Sequence, residues 1–479
     1  MKHISLVALL VAAALTSPTL AKDFGVARDQ MLAQDSMALF GLEAPLAEGA
    51  APSPEEGYRT LDQSATDELA VAPALTATFL TRNVGNNLDQ MAFFPATNPT
   101  HLIGCIEGDR EEIAPGKWNP SVQSISLADG TVTTLMRGMI SCDGVRSTAW
   151  GTVIVSEEED DGGLYEIINP LSIKDVVVKD RATGEVTDPA HVVKRANMAV
   201  IAWEGIIVTP EGVVYGGDEL RPGTGTEDAD GGSMFKFIPA TLHTSGAISE
   251  LAASPLAAGK TYALQVQCQG AEIQYGQGCE IGKGAWIEID PAHARVDAEL
   301  KGATGYYRPE DLHNDPSYQG PGIRFCGANT GNEEAHNYAE VVCGIDLVPA
   351  EAPQANADGE LVFTTEVNRF VEGDLVFNSF DNLSFQGTTG ILYVVEDHPN
   401  GEIYACLPDG EDRDIKTDGC VRVFAVKDTS AEPTGFIFSD DGMTAYVSIQ
   451  HSDDTNVAKS DDYGTDDLIK ITGFKAPAM

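Results

Sequence analysis

The side chains able to do chemistry sit at repeated places in this chain, just before one apolar run and just after the next. Glu107, Cys142, Glu157, Glu204, Asp218, Glu310, Asp311, Asp381, Asp397, Glu432 and His451 all occupy such positions. Gathered in one place, that many carboxylates repel one another and raise each other's pKa unless cations lie among them. Calcium suits such a set, because it accepts six to eight oxygen ligands in flexible geometry. The thiol of Cys142 adds a softer donor, which points to a transition metal at that corner. Arg308, in "YYRPED" (306–311), is a lone guanidinium among acids. It either clasps a phosphate oxygen or forms an ion pair with Glu310 or Asp311. Taken singly, each acid is equally readable as a strand-end cap or the partner of an Arg or Lys. His451 reads as a ligand, a proton donor or a satisfied core histidine.

The elements that would have to position these groups are hairpins. Six stretches share one plan of polar residue, strand, turn, strand, polar residue: Asp89 to Glu107, Cys142 to Glu157, Glu204 to Asp218, Glu310 to Thr330, Asp381 to Glu396 and Glu432 to Gln450. In an antiparallel hairpin the first strand begins beside the end of the second, so both polar ends share a rim. Six hairpins arranged radially would collect these ends around one mouth. Short Val-, Ile-, Tyr- and Phe-rich runs broken by Gly-containing turns fill the chain from about residue 77 onward, an all-β signal. The expected fold is a β-propeller of about six blades over 77–479, the architecture that protects strand edges by radial repetition. Residues 22–76, rich in Ala, Pro and Glu, read as an irregular N-terminal arm without a core of its own.

Residues 1–21 combine a basic start, an apolar run and small residues before Lys22, the pattern of a cleavable signal peptide. The expected location is therefore periplasmic or secreted. No later stretch is apolar enough to span a bilayer. With 73 acids against 30 Lys and Arg, the net charge of −43 disfavours nucleic acid and anionic membranes as partners. Export permits disulfides. Cys268 with Cys279, Cys326 with Cys343 and Cys406 with Cys420 are close in sequence and read as bridges closing surface loops, which leaves Cys105 and Cys142 as a fourth bridge or as reactive thiols. Neither a serine-hydrolase elbow nor a Walker loop occurs, and no acidic loop has EF-hand spacing.

Taken in order, "GNNLDQMAFFP" (85–95), "CDGVRSTAWGTVIVSEE" (142–158), "WEGIIV" with "VVYGGDE" and "MFKFIP" (203–239), "YRPED" (307–311), "DNLSF" with "LYVVEDH" (381–398) and "EPTGFIFSDDG" with "SIQH" (432–451) resemble the PhoX-type alkaline phosphatases. The resemblance implies a secreted six-bladed propeller phosphatase whose site holds calcium and iron. It makes Cys142, Glu204 and Glu310 metal ligands, with Glu107, Glu157, Asp397 and Glu432 as further carboxylates near the ions, and gives Arg308 the substrate phosphate. The implied chemistry is metal-assisted phosphoryl transfer on a small-molecule phosphate ester, with Arg308, Glu310 and Glu204 at the reacting group. Two other classes fit the same pattern: a non-catalytic, calcium-stabilised propeller that serves as a binding module, and a calcium-dependent lactonase-like hydrolase, which has no need of Arg308.

Overall fold

A computed structural model describes residues 24–51, 59–223, 230–266, 280–357, 359–408, 419–450 and 458–477. Six hairpins stand in a circle. Their inner strands, Leu88–Phe94, Cys142–Ser147, Trp203–Val208, Pro309–Asn314, Phe380–Phe385 and Glu432–Phe438, pack each against the next, and the last packs against the first. Each inner strand begins a blade whose later strands step outward, antiparallel except where Val176–Asp180 pairs parallel with Val132–Arg137 in blade one. The six-fold propeller expected from the hairpin repeat is therefore present, with two features the repeat did not announce.

The first is a fusion. Blades one, two, five and six are separate sheets, whereas blades three and four form one ten-stranded sheet that curls round on itself. The join runs through Gly282–Ile289 of blade three and Thr365–Glu372 of blade four, with Gly282 opposite Val367 and Gly284 opposite Thr365. Tyr215, Leu264, Trp286, Phe325 and Val342 fill the core that this curl encloses.

The second is the closure. Thr76–Gly85 is the outermost strand of blade six and pairs antiparallel with Tyr463–Thr472 near the C-terminus, with Thr76 opposite Thr472 and Gly85 opposite Thr465. Sealing the ring with strands from both ends of the chain ties its closure to the most distant contacts in sequence. The arm also joins the body. Leu69–Val71 adds an outer strand to blade five, and Leu32, Phe40 and Leu42 are buried in the same apolar cluster as Tyr393, Val395, Ile449 and Ile469. Arg59 reaches Asp467 in a buried ion pair at 2.7 Å. No helix among the described residues is long and apolar enough to cross a membrane.

Two of the expected disulfides form. Cys326 lies opposite Cys343 in blade four, and Cys406 opposite Cys420 in blade five, so each bridge staples neighbouring strands. Cys105 is bonded to Cys142, which joins blade one to blade two. Cys268 and Cys279 lie outside the described residues.

Candidate metal and phosphate site at the propeller mouth

Every inner hairpin breaks register near the mouth. In five blades the break falls at the same place, leaving unpaired the dipeptides Asp89-Gln90, Asp143-Gly144, Glu204-Gly205, Glu310-Asp311 and Asp381-Asn382. A bulge adds a residue and re-aims its side chain. Here the first member of each pair is an acid that faces the central channel, while the second meets a neighbouring blade. The Asp311 carboxylate accepts from Leu383 N at 3.1 Å, and the Asn382 amide oxygen accepts from Gly435 N and from Thr434 Oγ1. Side chains at Gly144 and Gly205 would collide with the backbone of Glu204 and of Asp311 and Leu312. In blade six the corresponding residue is Gly435, at φ +59° and against the Asp89 carbonyl. Five acids therefore ring the channel, and the sixth blade contributes Glu432 from higher on the rim.

The carboxylates form two overlapping groups. Asp143, Glu158 and Glu204 present oxygens within 4.8 Å of one another, as do Glu204, Glu310 and Asp381, so Glu204 belongs to both. Burial, followed by repulsion between neighbours, raises the carboxyls of Asp143, Glu158, Glu204 and Asp381 well above the ordinary range. Glu432 is raised in the same way, and Glu310 is raised by burial against the opposing pull of Arg308. Asp89 is pushed up to about 6 and Glu107 to about 8, in both cases mainly by burial. One oxygen of the buried Asp143 has no hydrogen-bond partner among the described residues. Buried anions left in this state are costly, and cations among them would remove the cost. The donors in both groups are all carboxylate oxygens, which is the chemistry calcium takes.

Arg308 stands at the edge of these groups. Its guanidinium lies 2.6 Å from Glu219, 3.2 Å from Glu310 and 3.8 Å from Asp397. Its backbone is left-handed, at φ +58°, and is pinned between Leu220 O, which accepts from its N–H, and Thr330 N, which donates to its carbonyl. A non-glycine residue in that region is strained, and it persists only where its surroundings hold it. A polar network links these acids to their neighbours: Gln90 donates to Glu204 at 3.1 Å, and Arg146 reaches Gln90 at 3.0 Å and Asp311 at 2.9 Å.

Glu204, Glu310, Asp381, Asp397, Glu107, Glu432 and Arg308 thus converge on one mouth, although up to 325 positions separate them in sequence. Other residues read from the sequence go elsewhere. Glu157 is fully buried in a pair with Arg181 at 2.8 Å, and its neighbour Glu158 faces Asp143 and Glu204, since successive strand side chains alternate. Asp218 pairs with Arg295 at 2.8 Å, and Asp311 ties Arg146, His313 and Leu383 together. Cys142 is spent in its disulfide, so the expected thiolate ligand is absent and a thiolate-held iron does not fit this residue set. His451 lies outside the described residues. Asp143, Glu158 and Glu219 were not singled out from the sequence. The signal for all three was present, because Asp143, Glu158 and Glu219 each directly follow a residue that was chosen.

Fold and mouth together define a β-propeller with a carboxylate-lined central site. The family model described as alkaline phosphatase PhoX matches residues 185–453, more than half the chain, and the protein belongs to that family. Membership supports a phosphatase, a hydrolase of phosphate esters. Among solved structures, Pseudomonas fluorescens PhoX in complex with vanadate, a transition-state analogue, is similar at 15% identity and a TM-score of 0.56, covering 89% of this chain and 97% of that one. That likeness supports the propeller fold. A gluconolactonase from Xanthomonas campestris aligns at 12% identity and a TM-score of 0.39, over 90% of this chain and 99% of its own. Comparison with curated protein sequences gave no significant match.

Proposed function

We propose that this protein is an exported, calcium-dependent phosphatase that hydrolyses small phosphate esters at the propeller mouth. One observation carries the reading: in a PhoX-family chain, two carboxylate groups share Glu204 and lie beside a strained, pinned arginine. Asp143, Glu158, Glu204, Glu310 and Asp381 would hold the cations, with Glu107, Asp397 and Glu432 completing the negative wall. Bound cations supply neutralisation of the phosphate oxygens and make phosphorus more electrophilic. Arg308 then clasps a further phosphate oxygen, and Glu219 keeps its guanidinium turned toward the mouth. Gln90 fixes the carboxylate plane of Glu204 from below, so its other oxygen is directed into the site. Export is supported by the basic and apolar start of the chain.

The test is release of p-nitrophenol from p-nitrophenyl phosphate by calcium-loaded protein and by an Arg308→Ala variant. Turnover that the substitution removes supports the assignment. Equal turnover by the two proteins would overturn the role of Arg308.

A further inference from the structure

The sulfur expected at this centre is occupied elsewhere, and an oxygen stands in its neighbourhood. Cys142 and Cys105 are both fully buried, and their bridge lies in the apolar cluster between blades one and two with Val122, Val145, Val155 and Tyr165. Asp143, the next residue, falls in the bulge, and its side chain takes the opposite direction, toward Glu158 and Glu204. It is 2% exposed, and its Oδ1 has no hydrogen-bond partner among the described residues. One oxygen of this buried carboxyl has nothing to accept from, and the carboxyl stands beside two further carboxylates, an arrangement of oxygen donors that suits a cation.

We infer that Asp143 takes the place of the thiolate in this chain, giving an oxygen-only centre with two cation positions that share Glu204, one completed by Asp143 and Glu158 and the other by Glu310 and Asp381. The chemical class of the bound ion follows from the donors. Hard carboxylate oxygens select calcium and similar divalent cations, whereas thiolate selects softer metals. Reduction of the disulfide does not convert the centre, because the freed Cys142 sulfur remains on the apolar side of its strand. The inference rests on the cation-filled reading of the mouth and is independent of what the site hydrolyses.

Calcium content measured by equilibrium dialysis and elemental analysis separates the two positions. Relative to the unaltered protein, Asp143→Asn and Asp381→Asn should each lose about one ion per chain, and Glu204→Gln about two, with circular dichroism confirming the fold. An unchanged count in Asp143→Asn overturns the inference. A second arm does not depend on that variant folding: the full-length protein is given ferric iron before and after treatment with dithiothreitol, and the visible spectrum is recorded. No thiolate-to-iron absorption band is expected in either state. Its appearance after reduction would restore the sulfur ligand and sink the oxygen-only centre. Ion counts and spectra need no turnover, so an inactive protein that still binds both ions would fail the phosphatase reading and leave this one standing.

Discussion

At the scale of single residues, the mouth separates acids that were readable from acids that were not. Glu204 and Glu310 stand out in sequence because each opens an apolar run, and both face the channel. Glu157 carries the same signal, yet Arg181 claims it and Glu158 takes its place, because a one-residue step moves a side chain to the other face of a strand. Bulges shift that parity, and no local pattern in sequence marks where they fall. Arg308 was legible as the lone cation, and its ion-pair reading holds, since it pairs with Glu310. Replacing it with Ala should lower kcat/KM for p-nitrophenyl phosphate about 10²- to 10³-fold, the usual cost of losing one charged group aimed at the transition state. Arg308→Lys should recover only part of this, because an ammonium lacks the bidentate fork. Steady-state kinetics on the three proteins checks both statements.

At the scale of elements, the bulged inner strand is the device that makes the site, and its glycines make it possible. Gly205 lets the inner strand of blade three lie against the backbone of Asp311 and Leu312. Gly205→Ala should destabilise the protein by about 1–3 kcal/mol through overpacking and should weaken calcium binding by displacing Glu204. Denaturant unfolding and calcium titration of the variant test this, and an unaltered midpoint would show that the blades have slack. The hairpins themselves were legible, since their Gly-marked turns and apolar runs are local features of the sequence. The fusion of blades three and four was not, because it joins two strand edges far apart in sequence, 282–284 and 365–367.

At the scale of the whole molecule, the ring closes through its two ends, and the arm is part of that seal. Arg59 contributes a buried charge to Asp467, which Arg82 also contacts at 2.9 Å. Arg59→Ala should cost about 3 kcal/mol, the lower end for a broken buried pair because Arg82 remains. Thermal unfolding of the variant measures it. The arm's docking was not readable in its composition, since the contact runs through scattered apolar residues, among them Leu32, Phe40, Leu42 and Leu69. The collected acids give the molecule a pH signature. Folded-state pKa values of about 6 for Asp89 and about 8 for Glu107 lie above those of an unfolded chain, so the cation-free folded protein binds more protons than the unfolded one between pH 4 and 8. Its stability should therefore fall as pH rises through that window, and calcium should restore it most at the alkaline end. A cation-free melting temperature that is flat with pH would argue against the cluster. The most direct test of the account is p-nitrophenyl phosphate turnover by one preparation, first stripped of metal by chelation and then titrated with calcium. The account predicts that turnover disappears on stripping and returns as calcium fills the mouth. Full turnover by protein shown to be free of metal, or none at any calcium concentration, would contradict it.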